Sequence, residues 1–156
     1  MRVGPLAAVL LASLIVTSCD SSTGPAFGAL AALVNQESKW KSQDLHDYLF
    51  HYHHEFAGTV QDARIYVSDD RVVEALDPAT GAELSLDPGF AWPTVDSLFA
   101  RARAALVSRN VHASVTYDAA LGYPMSIEIS PVVATPAGGS SSSASDLEPL
   151  AVLMAN

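Results

Sequence analysis

Two histidines and a glutamate, His51, His53 and Glu55, alternate along a short aromatic segment in a spacing that suits metal chemistry. Alternate residues of a β-strand point to the same face of a sheet. Two imidazoles and a carboxylate on one face would supply three ligands to zinc or copper and leave a fourth position open. Because alternate residues lie about 6.5–7 Å apart, the three groups converge only with suitable rotamers or at a bulge. The alternative is a solvated strand face that needs no ligand, so the sequence alone leaves both interpretations standing.

The only cysteine, Cys19, follows a segment with the order of a secretory signal. Met1-Arg2 gives a small positive region, and residues 6–16 form an apolar run. This run is shorter than the roughly 20 residues that a helix needs to span a bilayer. Val16-Thr17-Ser18-Cys19 then fits a bacterial lipobox. The pattern predicts a signal peptide over 1–18, acylation of Cys19, and a lipidated tether over 19–27. We therefore expect a membrane-anchored lipoprotein of the cell envelope, facing the periplasm or the exterior.

The charge and cysteine content exclude several classes of function. Cleavage before Cys19 leaves 138 residues with seven basic and seventeen acidic side chains, a formal charge of −10. A chain this acidic is not expected to bind nucleic acid, or an anionic membrane through its own surface, so the lipid would hold it to the membrane. Acylation would consume the single cysteine, which excludes a disulfide, cysteine catalysis and thiolate metal sites in the domain.

The hydrophobic pattern predicts one domain over 28–156. Helical spacing of Phe27, Leu30, Val34 and Trp40 predicts a first helix within 28–45, and Thr94 is a good N-cap for a second helix that ends near Ser108. Strands are predicted at 48–56, 63–67, 71–76, 111–117, 125–129 and 147–153, with a flexible Gly/Ser loop over 137–145. The short connections favour an antiparallel sheet. The expected fold is α+β: a two-layer sandwich of five to six antiparallel strands with two helices on one face.

The segment Asp118 to Pro124 is the strongest local signature of the predicted domain. One interpretation is a recognition loop that exposes Tyr117 and Tyr123. The other is a structural connection between two strands, in which Gly122 takes a backbone conformation that a Cβ would resist.

Three segments together resemble an uncharacterised bacterial lipoprotein domain family, the domain of unknown function six-one-seven-four. They are Tyr48-x-Phe50-x-Tyr52, Thr94-Val95-Asp96-Ser97-Leu98-Phe99 and Tyr117-Asp118-x-x-x-Gly122-Tyr123-Pro124. The resemblance covers roughly Trp40 to Glu148 and implies an envelope location and a fold, but no chemistry. Family members usually carry Cys-x-Cys after the first strand, where this sequence has Phe56 and Gly58. Any role of that pair therefore does not transfer to this chain.

No catalytic or cofactor-binding motif is present: the sequence has no P-loop, Rossmann fingerprint, His-Glu-x-x-His or nucleophile elbow. A Ser-His-Asp arrangement assembled from distant positions is not visible to such a search. We expect a non-enzymatic domain without a resident cofactor that binds an unknown envelope protein or ligand. The alternatives are a metal-binding envelope protein that uses His51, His53 and Glu55, and an envelope enzyme.

Overall fold

A computed structural model describes residues 25–86 and 91–150. These residues form two helices and six strands in the order α1, β1, β2, β3, α2, β4, β5, β6. Their bounds are α1 Pro25–Lys41, β1 Tyr48–Phe56, β2 Thr59–Ser68, β3 Arg71–Leu76, α2 Val95–Val107, β4 Val111–Tyr117, β5 Pro124–Pro131 and β6 Ser140–Pro149.

All six strands belong to one antiparallel sheet with the order β3-β2-β1-β6-β5-β4. Two meanders, β1–β2–β3 and β4–β5–β6, meet where β6 pairs with β1 in the middle of the sheet. The predicted α+β fold, a six-stranded antiparallel sheet with two helices, is confirmed.

The core lies between the sheet and the helices and is rich in aromatic side chains. Trp40 of α1 contacts two tyrosines edge-on, with ring centroids 5.3 Å from Tyr48 and 6.4 Å from Tyr123. The predicted apolar stripe of α1 was partly wrong, because Phe27 and Val34 are exposed and Leu33 with Trp40 faces the core. The first half of α1 is rich in alanine, so its sequence is compatible with more than one choice of buried face around the helix axis.

Helix α2 follows its sequence prediction closely. The Thr94 hydroxyl accepts a hydrogen bond from the Ser97 N–H, as an N-cap should, and Ser108 caps the other end. Its apolar side is buried at Val95, Leu98, Phe99, Ala102 and Ala105. The first helical N–H, that of Val95, donates to the Tyr48 hydroxyl 3.1 Å away, which joins the start of α2 to β1.

The predicted flexible loop over 137–145 is wrong from Ser140 onward. Ser140 opens β6, whose serines pair with β1 on one side and with β5 on the other. Serine has a weak preference for strands, but a central position lets both neighbouring strands satisfy the backbone of β6. Gly139 permits the entry into β6, because a Cβ there would lie 2.4 Å from the Ile129 carbonyl oxygen. The predicted last strand at 147–153 is the end of β6, and residues 151–156 lie outside the described part.

The predicted tether over 19–27 is too long at its C-terminal end, because α1 already begins at Pro25. Proline suits the first turn of a helix, where its missing N–H has no partner to lose. The predicted signal peptide over 1–18 and Cys19 lie outside the described residues. Within residues 25–86 and 91–150, neither helix is long and apolar enough to cross a bilayer.

Candidate functional site

The helices cover one face of the sheet, and the other face, which we call the open face, carries mainly polar side chains. The strand registers place His51, His53 and Glu55 of β1 on the open face, as predicted. The neighbouring strands add further polar groups to the same face: Asp62, Arg64, Ser141, Ser143, Ser145, Ser126, Glu128, Ser130, His112 and Ser114. An antiparallel sheet commonly packs one face on the core and leaves the other facing solvent, so the open face is available to contact another molecule.

The small side chain of Ser141 in β6 forms the floor of a cleft on the open face. Ser141 pairs with Glu55 of β1 on one side and with Glu128 of β5 on the other. Because neighbouring strands lie about 4.8 Å apart, the two glutamate Cα atoms stand about 10 Å apart with only a serine between them. The resulting cleft has a volume of about 590 Å³, and His112 and the backbone of Gly138 also line it.

Within residues 25–86 and 91–150, the two glutamates of the cleft have no Lys or Arg partner. In the described part of the chain, no Lys or Arg nitrogen lies within 4.0 Å of a carboxylate oxygen of Glu55 or Glu128. Glu128 accepts a hydrogen bond from the Ser126 hydroxyl at 3.2 Å. Both glutamates and His112 are exposed to solvent. The cleft therefore presents two carboxylates, an imidazole and several hydroxyls that are free to bind an external group.

The predicted metal ligands do not converge as a group of three. His51 instead pairs with Asp62 of β2, with 2.5 Å between His51 Nε2 and Asp62 Oδ1. His53 Nδ1 lies 3.8 Å from the same oxygen, whereas Glu55 is directed to the serine-floored cleft. Among the described residues, no group of three or more His, Cys, Asp or Glu side chains is placed to hold a metal ion. The expected His51, His53 and Glu55 triad is therefore corrected to a cross-strand contact of His51 and His53 with Asp62.

His54 faces the opposite way and joins a polar cluster beneath α2. Its Nδ1 donates to the Ser141 carbonyl oxygen 2.7 Å away and lies 3.0 Å from the hydroxyl oxygen of buried Ser142. Burial, with the Arg101 guanidinium nearby, lowers the pKa of His54 below its ordinary value of 6.5. The Arg101 guanidinium donates to the Tyr52 hydroxyl, with 3.4 Å between nitrogen and oxygen. This cluster holds the covered face of the sheet against α2.

The segment from Asp118 to Pro124 is a structural connection and does not expose Tyr123. The Asp118 carboxylate accepts hydrogen bonds from the N–H groups of Ala120 and Leu121, at 2.9 and 2.6 Å. Tyr123 is buried in the core against Trp40. Tyr117 is partly buried and stacks on Phe99, and its hydroxyl oxygen has no hydrogen-bond partner in the described part of the chain. The recognition-loop interpretation of Tyr117 and Tyr123 is therefore wrong.

Sequence reasoning missed Asp62, Glu128, His112 and Ser141, which complete the polar groups of the open face. Their positions follow from the pairing of β1 with β2 and β6, which no local pattern encodes. One signal for β6 was present in the sequence: the ten residues from Ser140 to Pro149 contain no glycine and no internal proline, unlike a typical loop.

These features define a class: a small α+β domain with an antiparallel sheet, one helix-covered face and one polar open face. The chain belongs to a family of unknown function, DUF6174, which matches residues 32–148. No curated protein and no solved structure match the chain.

Proposed function

We propose that this chain is a cell-envelope lipoprotein, anchored through acylated Cys19, whose domain is a non-enzymatic binding module. The lipobox Val16-Thr17-Ser18-Cys19 supports the anchor. The observation that carries the binding role is the cleft on the open face, where Glu55 and Glu128 flank the Ser141 floor with no cation partner among the described residues. The bound molecule is an envelope protein or a smaller ligand that reaches the domain at the membrane.

The chemistry of the cleft favours a ligand rich in hydrogen-bond donors and carrying positive charge. Ionised carboxylates only accept hydrogen bonds, and serine hydroxyls both donate and accept. Two exposed carboxylates add only about 0.2–1 kcal/mol each with a cationic partner, so contacts along the floor must supply part of the affinity. Such a site favours an extended ligand that lies across β1, β6 and β5 over a small ion.

The anchor is tested by the intact mass of the protein extracted from membranes, beside a Cys19→Ala variant. The expected result is cleavage before Cys19 with added acyl chains, and loss of both the modification and the membrane retention in the variant. An unmodified Cys19 thiol in a soluble product would contradict the anchor.

The binding role is tested by capture of partners from envelope fractions with two matched variants. Ser141→Arg places a long side chain in the cleft between Glu55 and Glu128, whereas Ala120→Arg changes an exposed residue of the Asp118 to Pro124 connection. We expect one partner that is lost with Ser141→Arg and retained with Ala120→Arg. A hydrolase screen runs beside the capture, and turnover abolished by one point substitution would favour the enzyme alternative instead.

A second candidate function is binding of zinc or copper by His51 and His53, with Asp62 in place of Glu55. The supporting observation is that Asp62 Oδ1 lies 2.5 Å from His51 Nε2 and 3.8 Å from His53 Nδ1. Binding requires these side chains to reorient around the ion, because the described residues hold no preformed group of three ligands. Calorimetric titration tests it: a micromolar constant lost in Asp62→Asn but kept in Glu55→Gln supports the site. A constant no tighter than about a millimolar rules it out.

A further inference from the structure

The two ends of the sheet, taken along the strand direction, differ in exposed apolar surface. We call the end where β1 and α2 finish and β6 begins the anchor end. Phe56 pairs with Ser140 there, and the Val132 N–H donates to the Asn110 carbonyl oxygen at 2.9 Å. Of ten large apolar side chains exposed in the described residues, five lie at or beside this end: Phe56, Val60, Val107, Val132 and Val133. Val133 is the most exposed of all ten, at 76%.

Helix α1 leads the chain toward the same end, because it runs antiparallel to α2. Trp40, near the end of α1, lines one crevice with Asp96, at the start of α2. Farther along, Glu37 forms an ion pair with Arg103. At about 1.5 Å per residue, Phe27 lies about 15 Å beyond Glu37, whereas α2 ends about 6 Å beyond Arg103. The start of α1 therefore extends past the end of α2, and exposed Phe27 joins the apolar side chains of the anchor end.

The opposite end of the sheet is acidic. It holds the turn between β2 and β3 and the connection between β4 and β5, where the carboxylates of Asp44, Asp47, Asp69, Asp70 and Asp118 outnumber the cations of Lys39, Lys41 and Arg71. At the anchor end, Arg109 follows α2 and the Arg101 guanidinium lies 3.4 Å from the Ser140 hydroxyl, and these cations stand at the same end as the carboxylates of Glu55 and Glu128 in the cleft. An anionic surface would therefore repel the acidic end more strongly than the anchor end, which is the orientation that apolar exposure also favours.

We propose that the anchor end docks on the lipid bilayer, with Val107, Val132 and Val133 at the membrane interface. This proposal rests on the proposed acylation of Cys19, which lies only six residues before Pro25. Six residues span at most about 20 Å, so the lipid keeps the domain beside the bilayer. Exposed valines contribute little binding alone, but the anchor removes the cost of bringing the domain to the membrane. In this orientation the strands run roughly perpendicular to the membrane plane. The open face then lies to the side of the domain, where a partner can reach it.

The test uses the acylated protein in vesicles of phosphatidylcholine and phosphatidylglycerol in equal amounts. Because acylation occupies the only native cysteine, an introduced cysteine is the only free thiol and accepts a polarity-sensitive fluorophore. Val133→Cys reports on the anchor end, and Ala120→Cys, exposed at the acidic end, is the matched control. We expect a blue-shifted emission and an at least roughly threefold loss of iodide quenching at position 133, and no change at 120.

Each of the other possible results contradicts either the docking proposal or the proposed anchor. An acylated, vesicle-bound protein with equal quenching at positions 133 and 120 overturns the docking proposal and leaves the anchor intact. Protection at position 133 that persists in detergent with the mass of a dimer also overturns it, in favour of a second copy of the chain. A protein without acyl chains that stays outside the vesicles overturns the proposed anchor itself. Val133→Glu in the acylated protein should restore quenching at a label on Val132→Cys, and unchanged protection there contradicts membrane contact.

Discussion

Replacing Gly122 by alanine should destabilise the domain well beyond the ordinary effect of a left-handed glycine. Gly122 has φ +87°, and a Cβ there would lie 2.9 Å from the Gln36 carbonyl oxygen and 3.2 Å from the Lys39 Cβ. The left-handed conformation costs alanine about 1–2 kcal/mol. The contact with α1 backbone adds about 1–3 kcal/mol, because neither the helix nor the connection moves freely. We expect a total loss of about 2–5 kcal/mol.

Gly58→Ala is the matched control, because Gly58 has φ +78° but no atom within 4 Å of the position that a Cβ would take. It should cost only the conformational part, about 1–2 kcal/mol. Urea unfolding of both variants, followed by the fluorescence of buried Trp40, measures the two free energies. With a slope of about 2 kcal/mol per molar, the midpoint should fall by about 1–2.5 M for Gly122→Ala and by less than about 1 M for Gly58→Ala. Equal losses would refute the close packing of α1 on the Asp118 to Pro124 connection.

Three further predictions concern titration and the central strand. Hydrogen bonds and charge from Asp70 and Asp44 raise the pKa of His46 above 6.5. The stability that protonated His46 adds to the fold is therefore fully present below pH 6.5 and is lost as the pH rises through the pKa of the folded state. His46→Gln should remove this pH dependence of the free energy of unfolding, and an unchanged pH profile would contradict the prediction. Burial lowers the pKa of His54, so stability should fall as pH drops below 6.5, and NMR titration should give a His54 midpoint below that of His46; the reverse order would refute the placement. Hydrogen exchange at the Ser142 amide should require opening close to global unfolding, about 5 kcal/mol or more, whereas fast exchange there would restore the flexible-loop interpretation.

The sequence predicted elements whose signals are local and missed features that depend on distant pairing. Helix α2 was predictable because the Thr94 cap and the buried stripe lie within one segment. The strand character of Ser140 to Ser145 was not, because serine is stabilised there by two neighbouring strands rather than by its own preference.

The candidate site likewise contains residues whose position follows from a local pattern and residues whose position depends on strand pairing. The alternation in β1 correctly placed His51, His53 and Glu55 on one face, since that depends only on the strand period. The partners of these residues depend on strand register. Asp62 contacts His51 across the β1–β2 hairpin, and Glu128 lines the same cleft as Glu55 only because β6 pairs with both of their strands. The burial of Tyr123 depends on Trp40, which packs on it from a helix early in the chain.

The most direct test of a binding role for the open face is photo-crosslinking in the intact host envelope. A photoreactive residue replaces Ser143 on the open face in one variant and Ala120 on the acidic end in the other, with Cys19 unchanged in both. We expect one molecule to be captured reproducibly from position 143 and to be absent from position 120. Equal capture from the two positions, or capture from position 120 alone, would contradict the assignment of the open face as the binding surface.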